Sequence, residues 1–426
     1  MTRLRRTLSR STWCRLAALA TLAGAAAQAG AQEAPLKIAV IDSFSGPFAA
    51  IGQAMLAHLQ ISAATINASG NMKGAKFEII DYDSKVSTQD SQSAMQGAMD
   101  RGATIILSGG SGSAVIAGLV DVANKRAQRD PQNPVIVMNY SSVDPDLTGK
   151  NCSYWYFQVE ANTAMKMKAL STYVAKLPEV KNVYLFNQDY AHGRQWARYG
   201  REMFTQTRPD IRIVGEEYFP IGRVKDFAPY VSKIKAAGAD TVITGNWGPD
   251  LSLFYRAAAD AGLNLRFFNH TAGAQPGMVT TASIAGSGLG QLTHVTEWHA
   301  GEANVPQVDA LVQQYAAKSG GKEFLAPRFD LTLRFIAAAV NKAGSTDPIK
   351  LAKAMEGLAM DTPIGPVRMR AEDHQMLIPQ VVNTIAPVDG KTVKVGVEGT
   401  KWGFRTDARF TGDNLAVPSE CKMVRP

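Results

Sequence analysis

A glycine- and serine-rich turn carries the clearest potential for chemistry in this sequence. Residues 105–113 read IILSGGSGS, so an apolar run typical of a buried strand leads into the turn, and an apolar helical stretch follows from Ala114. The glycines leave backbone N–H groups uncovered, and the hydroxyls of Ser111 and Ser113 add donors. Donors at the start of a helix favour negative charge. The turn therefore predicts a site for a small anion, with an ordinary strand-to-helix turn as the alternative.

Other residues with catalytic or metal-binding side chains do not fall into a known motif. The turn lacks the Gly-x-Gly-x-x-Gly of dinucleotide sites and the Gly-Lys-Ser/Thr of phosphate loops, and the sequence contains no Gly-x-Ser-x-Gly elbow. His294, Glu297 and His299 lie close together but do not form the His-Glu-x-x-His pattern of zinc enzymes. On these grounds we expect a protein that is not an enzyme and that holds no cofactor and no metal.

The first 31 residues have the composition of an export signal. Five arginines precede an apolar run at 16–27, and residues 29–31 read AGA, the small-residue pattern of a cleavage site. The mature chain is expected to begin near Gln32. Removing five arginines lowers the formal net charge from +8 to +3, so the charge gives no reason to expect nucleic acid as a partner.

Two cysteines remain once the leader and its Cys14 are removed. They are Cys152 and Cys421, and export places them in an oxidising compartment. Two cysteines in such a compartment are more often paired than free. The sequence therefore predicts a disulfide between them.

Strand and helix patterns alternate along most of the mature chain. Short apolar runs predict strands at 36–42, 74–83, 104–107, 134–140, 182–187, 211–218 and 241–245. Apolar residues at helical spacing predict helices at 51–67, 87–101, 162–177, 194–207, 227–237, 251–261, 308–318 and 331–343. The alternation restarts near residue 162. This pattern predicts an α/β fold with two similar halves, each a doubly wound parallel sheet.

Several short motifs also occur in a characteristic order. They are KIAV at 37–40, SGP at 45–47, IN at 66–67, Gly74, DPDLT at 144–148, YAHG at 190–193, KDF at 225–227, GADTV at 238–242, IAG at 284–286 and RAEDHQ at 370–375. In this order and spacing the chain resembles the leucine/isoleucine/valine-binding protein family, the type I periplasmic solute-binding proteins of ABC importers. The resemblance covers nearly the whole mature chain.

The resemblance implies an architecture and a set of partners. It implies two Rossmann-like lobes joined by three crossings, with lobe 1 at 32–160 and 296–378 and lobe 2 at 161–295 and 379–426, after a signal peptide at 1–31. It also implies a monomer in the periplasm that closes on a small-molecule ligand and presents it to an ABC permease in the inner membrane. A sensory ligand-binding protein that reports to a membrane receptor is the alternative, because one fold serves both roles.

The resemblance further places the ligand-binding residues. On lobe 1, Ser111 matches the serine that binds the ligand carboxylate, and Ser141 and Ser142 lie on the second turn of that lobe. On lobe 2, Tyr190 and Trp247 match aromatic residues that close over the ligand. Both follow predicted strands, where open α/β sheets bind ligands.

Two positions depart from the pattern of amino-acid binders. Thr271 stands where those proteins carry a glutamate that pairs with the ligand ammonium, and Val143 stands where they carry a threonine. An unpaired cation in a closed cleft costs several kcal/mol, as an order of magnitude. The sequence therefore predicts a small carboxylate-bearing solute, such as an aromatic or other organic acid, with a branched-chain or other amino acid as the alternative.

Overall fold

Two large β-sheets with helices packed against them make up the protein. A computed structural model describes residues 35–270, 290–298, 305–320, 324–397 and 400–426. The predicted signal peptide at 1–31 lies outside the described residues. Within the described ranges, the mixed α/β architecture with parallel sheets confirms the fold class that the alternating pattern predicted.

The first sheet is entirely parallel, and its strands follow the order β2-β1-β3-β4-β5. The strands are β1 (Leu36–Asp42), β2 (Phe77–Asp83), β3 (Ile105–Ser108), β4 (Ile136–Asn139) and β5 (Tyr156–Gln158). The helices between them are α1 (Ala49–Ser69), α2 (Thr88–Asp100) and α3 (Ser113–Arg129). Helices cover a parallel sheet on both faces, which is why β3 and β4 read as continuous apolar runs and are buried throughout.

The second sheet begins after the chain crosses over at residues 159–162. Its first helix and strands are α4 (Thr163–Val174), β6 (Asn182–Gln188), β7 (Arg212–Phe219), β8 (Thr241–Ile243), β9 (Leu265–Asn269) and β10 (Gly290–Thr296). The helices between these strands are α5 (Ala191–Thr207), α6 (Ala228–Ala236) and α7 (Gly248–Asp260). All five strands run parallel, in the order β10-β9-β8-β6-β7.

The chain then returns to the first sheet before ending on the second. The returning elements are α8 (Pro306–Ser319), α9 (Pro327–Ala343), α10 (Pro348–Met355), β11 (Ala359–Thr362), β12 (Gly365–Met369) and β13 (Met376–Leu377). Helices α8 and α9 pack on α1. The final elements are β14 (Gln380–Pro387), β15 (Trp402–Phe410) and α11 (Gly412–Leu415), and both strands join the second sheet in antiparallel pairing. We refer to the two sheets with their covering elements as lobe 1 and lobe 2.

A disulfide fastens the C-terminal tail to lobe 1. Cys152, which precedes β5, is bonded to Cys421, 269 positions later, and the two Cα atoms lie 5.6 Å apart. The prediction of this pair is confirmed. The tail is also held by a hydrogen bond of 2.7 Å from Arg370 Nη1 to the carbonyl oxygen of Val417.

A buried histidine makes the stability of lobe 1 sensitive to acid. His58 on α1 is 1% exposed and packs against Tyr315, Phe324 and Phe329, with ring centroids 4.5, 4.7 and 5.1 Å away. Neither ring nitrogen has a hydrogen-bond partner among the described residues. Burial, with a smaller contribution from the charge of Arg328, lowers the pKa of His58 to about 3.

We therefore expect acid to destabilise the protein through His58. Below pH 6.5 the unfolded chain binds a proton at this position and the folded chain does not, so the free energy of unfolding falls as the pH falls. Between pH 7 and pH 5 this single group should contribute a loss of about 2 kcal/mol. Urea unfolding of the wild type and of His58→Leu at both pH values measures this loss in the free energy of unfolding. The variant should lose about 2 kcal/mol less over this interval, and equal losses would contradict the assignment.

Candidate functional site

A cavity that is partly open to solvent lies between the two lobes. Loops that follow the strands form much of its wall, as in open α/β proteins that bind ligands, and helices α1 and α9 contribute Met55 and Arg328. The described residues lining it are Met55, Gly109, Gly110, Gly112, Ser113, Ser141, Ser142, Val143, Glu160, Tyr190, His192, Trp247, His270 and Arg328. Ser141, Ser142, Tyr190 and Trp247, which the sequence predicted, are thus brought together, whereas Ser111 is not part of this wall.

The start of α3 supplies hydrogen-bond donors to the wall of lobe 1. Ser113 is the first residue of this helix, and the preceding Gly112 has no side chain that could cap the N–H groups of the first turn. The Ser113 hydroxyl shares a hydrogen bond of 2.8 Å with the hydroxyl of Ser142. Uncapped N–H groups, two hydroxyls and the positive end of a 17-residue helix therefore meet at the cavity, an arrangement suited to an anion.

A buried asparagine fixes the serines of the second turn. The side-chain oxygen of Asn139, at the end of β4, accepts hydrogen bonds from the backbone N–H groups of Ser141 at 3.0 Å and Ser142 at 2.8 Å. Its Nδ2 donates to the carbonyl oxygen of Ser142 at 2.8 Å and to the Tyr156 hydroxyl at 2.8 Å. The turn is therefore held in one conformation, which keeps both serine hydroxyls in the cavity wall.

The hydroxyl of Ser111 is hydrogen-bonded inside lobe 1. Its hydroxyl donates to Asp42 Oδ1 at 2.8 Å and shares a second hydrogen bond of 2.6 Å with the hydroxyl of Ser84. Asp42 ends β1 inside lobe 1 and is fully buried. The hydroxyl of Ser111 is thus engaged within the lobe, and Ser113, two residues later, presents its hydroxyl to the cavity.

Asp42 anchors the glycine-rich turn from within the lobe. Besides Ser111, its carboxylate accepts hydrogen bonds from the Tyr140 hydroxyl and from the backbone of Gly109 and Gly110. Burial raises the pKa of Asp42 to about 6, although these donors act to lower it. The backbone of Gly109 and Gly110 is therefore held from within lobe 1.

Tyr190 and Trp247 form an aromatic pair on the wall of lobe 2. Trp247 Nε1 donates to the Tyr190 hydroxyl at 2.7 Å, and the Trp247 ring lies 4.7 Å from the Phe48 ring of lobe 1. A Cβ placed on Gly112 would lie 3.8 Å from the Tyr190 ring and 3.9 Å from the Trp247 ring. The lobes therefore touch across the cleft, with the aromatic pair facing the glycine-rich turn.

Two histidines behind the aromatic pair are uncharged. The Nε2 atoms of His192 and His270 lie 2.9 Å apart, and His192 Nε2 is also 2.9 Å from the carbonyl oxygen of Gly245. Burial lowers the pKa of His192 to about 4 and that of His270 well below its usual range. At neutral pH both imidazoles are neutral, so they offer hydrogen bonds and apolar surface but no positive charge.

Four buried charges meet where the lobes join. Glu160 lies on the first crossing, 3.0 Å from Lys166 Nζ and 2.9 Å from Arg328 Nε. Arg328 Nη1 lies 2.7 Å from Glu297, which directly follows β10. All four side chains are at most 4% exposed. Two carboxylates are thus matched by two cations, and Glu160 and Arg328 form part of the cavity wall.

Sequence reasoning did not single out Glu160 or Arg328. Each is a charged residue inside an apolar stretch, which is a usable signal, but their pairing joins positions 168 residues apart. Thr271, the position that suggested the absence of an ammonium partner, lies outside the described residues. Val143 lines the cavity and is buried.

Comparisons with known proteins agree with this architecture. A family model described as periplasmic binding protein matches residues 35–384. The Leu/Ile/Val-binding protein homolog 4 of Brucella abortus (strain 2308) is 30% identical over 416 residues, covering 95% of this chain and 96% of the relative. The closed-conformation crystal structure of a leucine-, isoleucine-, valine-, threonine-, and alanine-binding protein from Brucella ovis has a TM-score of 0.82 at 28% identity, covering 92% of this chain and all of that one.

A more distant structure shares the fold. The solute-binding protein of an ABC transporter from Rhodopseudomonas palustris BisB5, solved with 3,4-dihydroxybenzoic acid, has a TM-score of 0.72 at 18% identity. The match covers 89% of this chain and 98% of that one. At this identity the likeness concerns the fold alone.

Proposed function

This chain belongs to the periplasmic binding protein family of ABC transporters, whose members hold a small-molecule ligand and engage a membrane permease, and on that premise we propose that its ligand is a small carboxylate without an ammonium group. The relatives supply precedents for two ligand classes. The Brucella proteins are named for amino acids, and the R. palustris protein was solved with an aromatic acid. The choice between these classes rests on the cavity of this chain.

One observation carries the proposal: anion-binding donors on lobe 1 face an aromatic pair on lobe 2. Ser113 and the uncapped start of α3 provide N–H and O–H groups for a carboxylate. Tyr190 and Trp247 provide flat apolar surface with a polar edge, suited to an aromatic or compact aliphatic body. Ser141 and Ser142 add hydroxyl donors beside the carboxylate.

The charges of the cavity disfavour an amino-acid zwitterion. Among the described lining residues, Glu160 is the only carboxylate, and each of its oxygens already faces a cation, Lys166 at 3.0 Å and Arg328 at 2.9 Å. A ligand ammonium would have to compete with both, and a buried cation without a partner is strongly unfavourable. An organic acid brings no such group.

Closure between the lobes is the proposed means of capture. We assign residues 32–160 and 296–378 to lobe 1 and 161–295 and 379–426 to lobe 2, so that the three crossings pass beside the buried charges. A ligand that contacts both walls favours the closed state by its differential affinity for that state. The proposed setting is the periplasm, reached by export and cleavage of residues 1–31, where the monomeric protein would present its ligand to the permease.

Calorimetry on the mature chain at pH 7 tests the ligand class. The probes are benzoate, 4-hydroxybenzoate, isovalerate, leucine, valine and threonine. At least one acid should bind with a Kd below about 10 µM, and the amino acids should bind at least about a hundredfold more weakly. Tight binding of leucine or valine without a response to any acid would overturn the proposal and point to an amino-acid binder.

Truncating Ser113 should weaken binding of the best acid from that set. Ser113→Ala removes a hydrogen bond to a charged group, worth about 1.5–3 kcal/mol, so the Kd should rise about ten- to a hundredfold. Ser111→Ala should raise it less, because that hydroxyl bonds Asp42. The exposed Ser93→Ala on α2 serves as the neutral control. A larger effect at Ser111 than at Ser113 would contradict the placement of the two serines.

A further inference from the structure

Arg328 occupies a distinctive position at the start of α9. Its guanidinium is buried, yet it lines the ligand cavity beside the serines of lobe 1. Nε lies 2.9 Å from Glu160, Nη1 lies 2.7 Å from Glu297, and Nη2 donates to the Ser141 hydroxyl at 3.5 Å. The guanidinium is thus held by a hydrogen bond to Glu297 and by the nearby charge of Glu160, and its Nη2 donates toward the serine side of the cavity.

The guanidinium has donors beyond those its protein partners require. An arginine carries five N–H donors in a planar fork, and three protein groups contact this one. The remaining N–H groups are donors of the kind that bind a carboxylate, for which arginine is well suited. Ser141 adjoins Ser142, whose hydroxyl bonds Ser113, so the guanidinium continues the row of donors that begins at α3.

Arg328 is the one cation among the described lining side chains, and it is already paired with Glu160 and Glu297. His192 and His270 are neutral, and Lys166 is absent from the described lining residues. Lys166 instead lies 3.0 Å from the second oxygen of Glu160 and therefore shares in balancing that carboxylate. Arg328 is thus the one described lining side chain that brings a full positive charge to the cavity.

We infer that Arg328 is the residue that selects an anionic ligand over a neutral one of the same shape. It pairs with the ligand carboxylate alongside Ser113 and Ser141, while Glu160 and Glu297 hold its orientation. The proposed ligands are therefore free acids and not the amides or esters of those acids. This inference rests on the proposed function, because it presupposes a carboxylate ligand.

A charge-balanced variant tests the inference without leaving a buried charge unmatched. In Arg328→Gln combined with Glu297→Gln, one charge of each sign is removed, and Glu160 keeps its contact with Lys166. The control is Lys125→Gln combined with Asp121→Asn, which removes an exposed ion pair on α3. Calorimetry compares benzoate with benzamide, 4-hydroxybenzoate with 4-hydroxybenzamide, and isovalerate with isovaleramide.

The readout is the ratio of the amide Kd to the acid Kd. If Arg328 had only a structural role, the variant would bind both ligands more weakly to the same extent, and the ratio would not change. The wild type and the control should prefer the acid at least about a hundredfold, and the Arg328 variant should lose at least about tenfold of that preference. An unchanged ratio in the variant overturns the role of Arg328 and leaves the proposed function standing. A wild type that binds no acid, or prefers the amides, overturns both.

Discussion

Replacing Lys166 with methionine is expected to lower the free energy of unfolding by about 3–5 kcal/mol, the cost of breaking a buried ion pair by removing one partner. The Lys166 side chain is 2% exposed and lies near the three places where the chain passes between the lobes. It lies 3.0 Å from Glu160 on the first, donates to the carbonyl oxygen of Val295 at 3.5 Å beside the second, and donates to Gln380 Oε1 at 3.2 Å after the third.

The large effect follows from the balance of charges. Without Lys166, Arg328 alone would face both Glu160 and Glu297, and one buried negative charge would remain uncompensated. A buried unpaired ion costs several kcal/mol after relaxation, whereas removing both members of a pair is often close to neutral. The double variant Lys166→Met with Glu160→Gln should therefore recover at least half of the stability lost in the single variant.

Urea unfolding followed by circular dichroism at pH 7 measures these differences. The matched control is Lys176→Met, because Lys176 lies just beyond the same helix and is exposed. It should change the free energy of unfolding by less than about 0.5 kcal/mol. A loss below about 1 kcal/mol in Lys166→Met, or a double variant less stable than the single one, would show that the charge balance does not stabilise the join between the lobes.

Local patterns in the sequence were sufficient to predict most elements of the fold. Strand β1 was predicted at 36–42 and is found there, because an apolar run buried on both faces has a clear signature. The start of α5 was predicted at Arg194, but the helix begins at Ala191. The prediction began too late because the first turn contains Gly193, and glycine is a poor helix former. That glycine is required by packing: a Cβ there would lie 1.9 Å from the carbonyl oxygen of Gln188. Such a constraint comes from tertiary structure and is not visible in helical periodicity.

Elements that depend on distant partners were harder to predict. Strand β5 has three residues and pairs with β4, and β14 and β15 pair across a long loop in antiparallel fashion. Very short strands, and strands whose partners lie far away in the sequence, show little alternation of apolar and polar residues. The sequence therefore indicated only a region rich in short strands after residue 362. The family resemblance, which rested on the order of many motifs along the chain, is confirmed.

The site divides in the same way between local and distant information. The glycine-rich turn was predicted from its own residues, and the second serine turn and the aromatic pair were predicted from the family resemblance. All three contribute residues to the wall of one cavity. Which serine of the first turn faces that cavity depends on Asp42, 69 positions before Ser111. The pairing of Glu160 with Arg328 likewise has no local signature. Composition and motif order locate such a site, but the orientation of its side chains is set by packing.

Removing the disulfide between Cys152 and Cys421 is expected to lower the free energy of unfolding by about 5 kcal/mol. The bond closes a loop of 269 positions, and in the chain-entropy model so long a loop restricts the unfolded chain strongly. The double variant Cys152→Ser with Cys421→Ser measures the effect by urea unfolding under oxidising conditions. Wild type treated with reductant should unfold at the same urea concentration as the variant, and reductant should not shift the variant further.

The tail provides a second readout that separates a global effect from a local one. Without the bond, residues after α11 are still held by Lys168 Nζ, which donates to the carbonyl oxygen of Ala416 at 2.8 Å, and by Arg425, which lies 2.9 Å from Glu356. Because Arg425 is exposed, its ion pair contributes little, so trypsin should cleave after Lys422 faster in the variant than in the wild type. Faster cleavage with an unchanged unfolding midpoint would mean that the disulfide only fastens the tail, and the loop-closure argument would then be wrong for this protein.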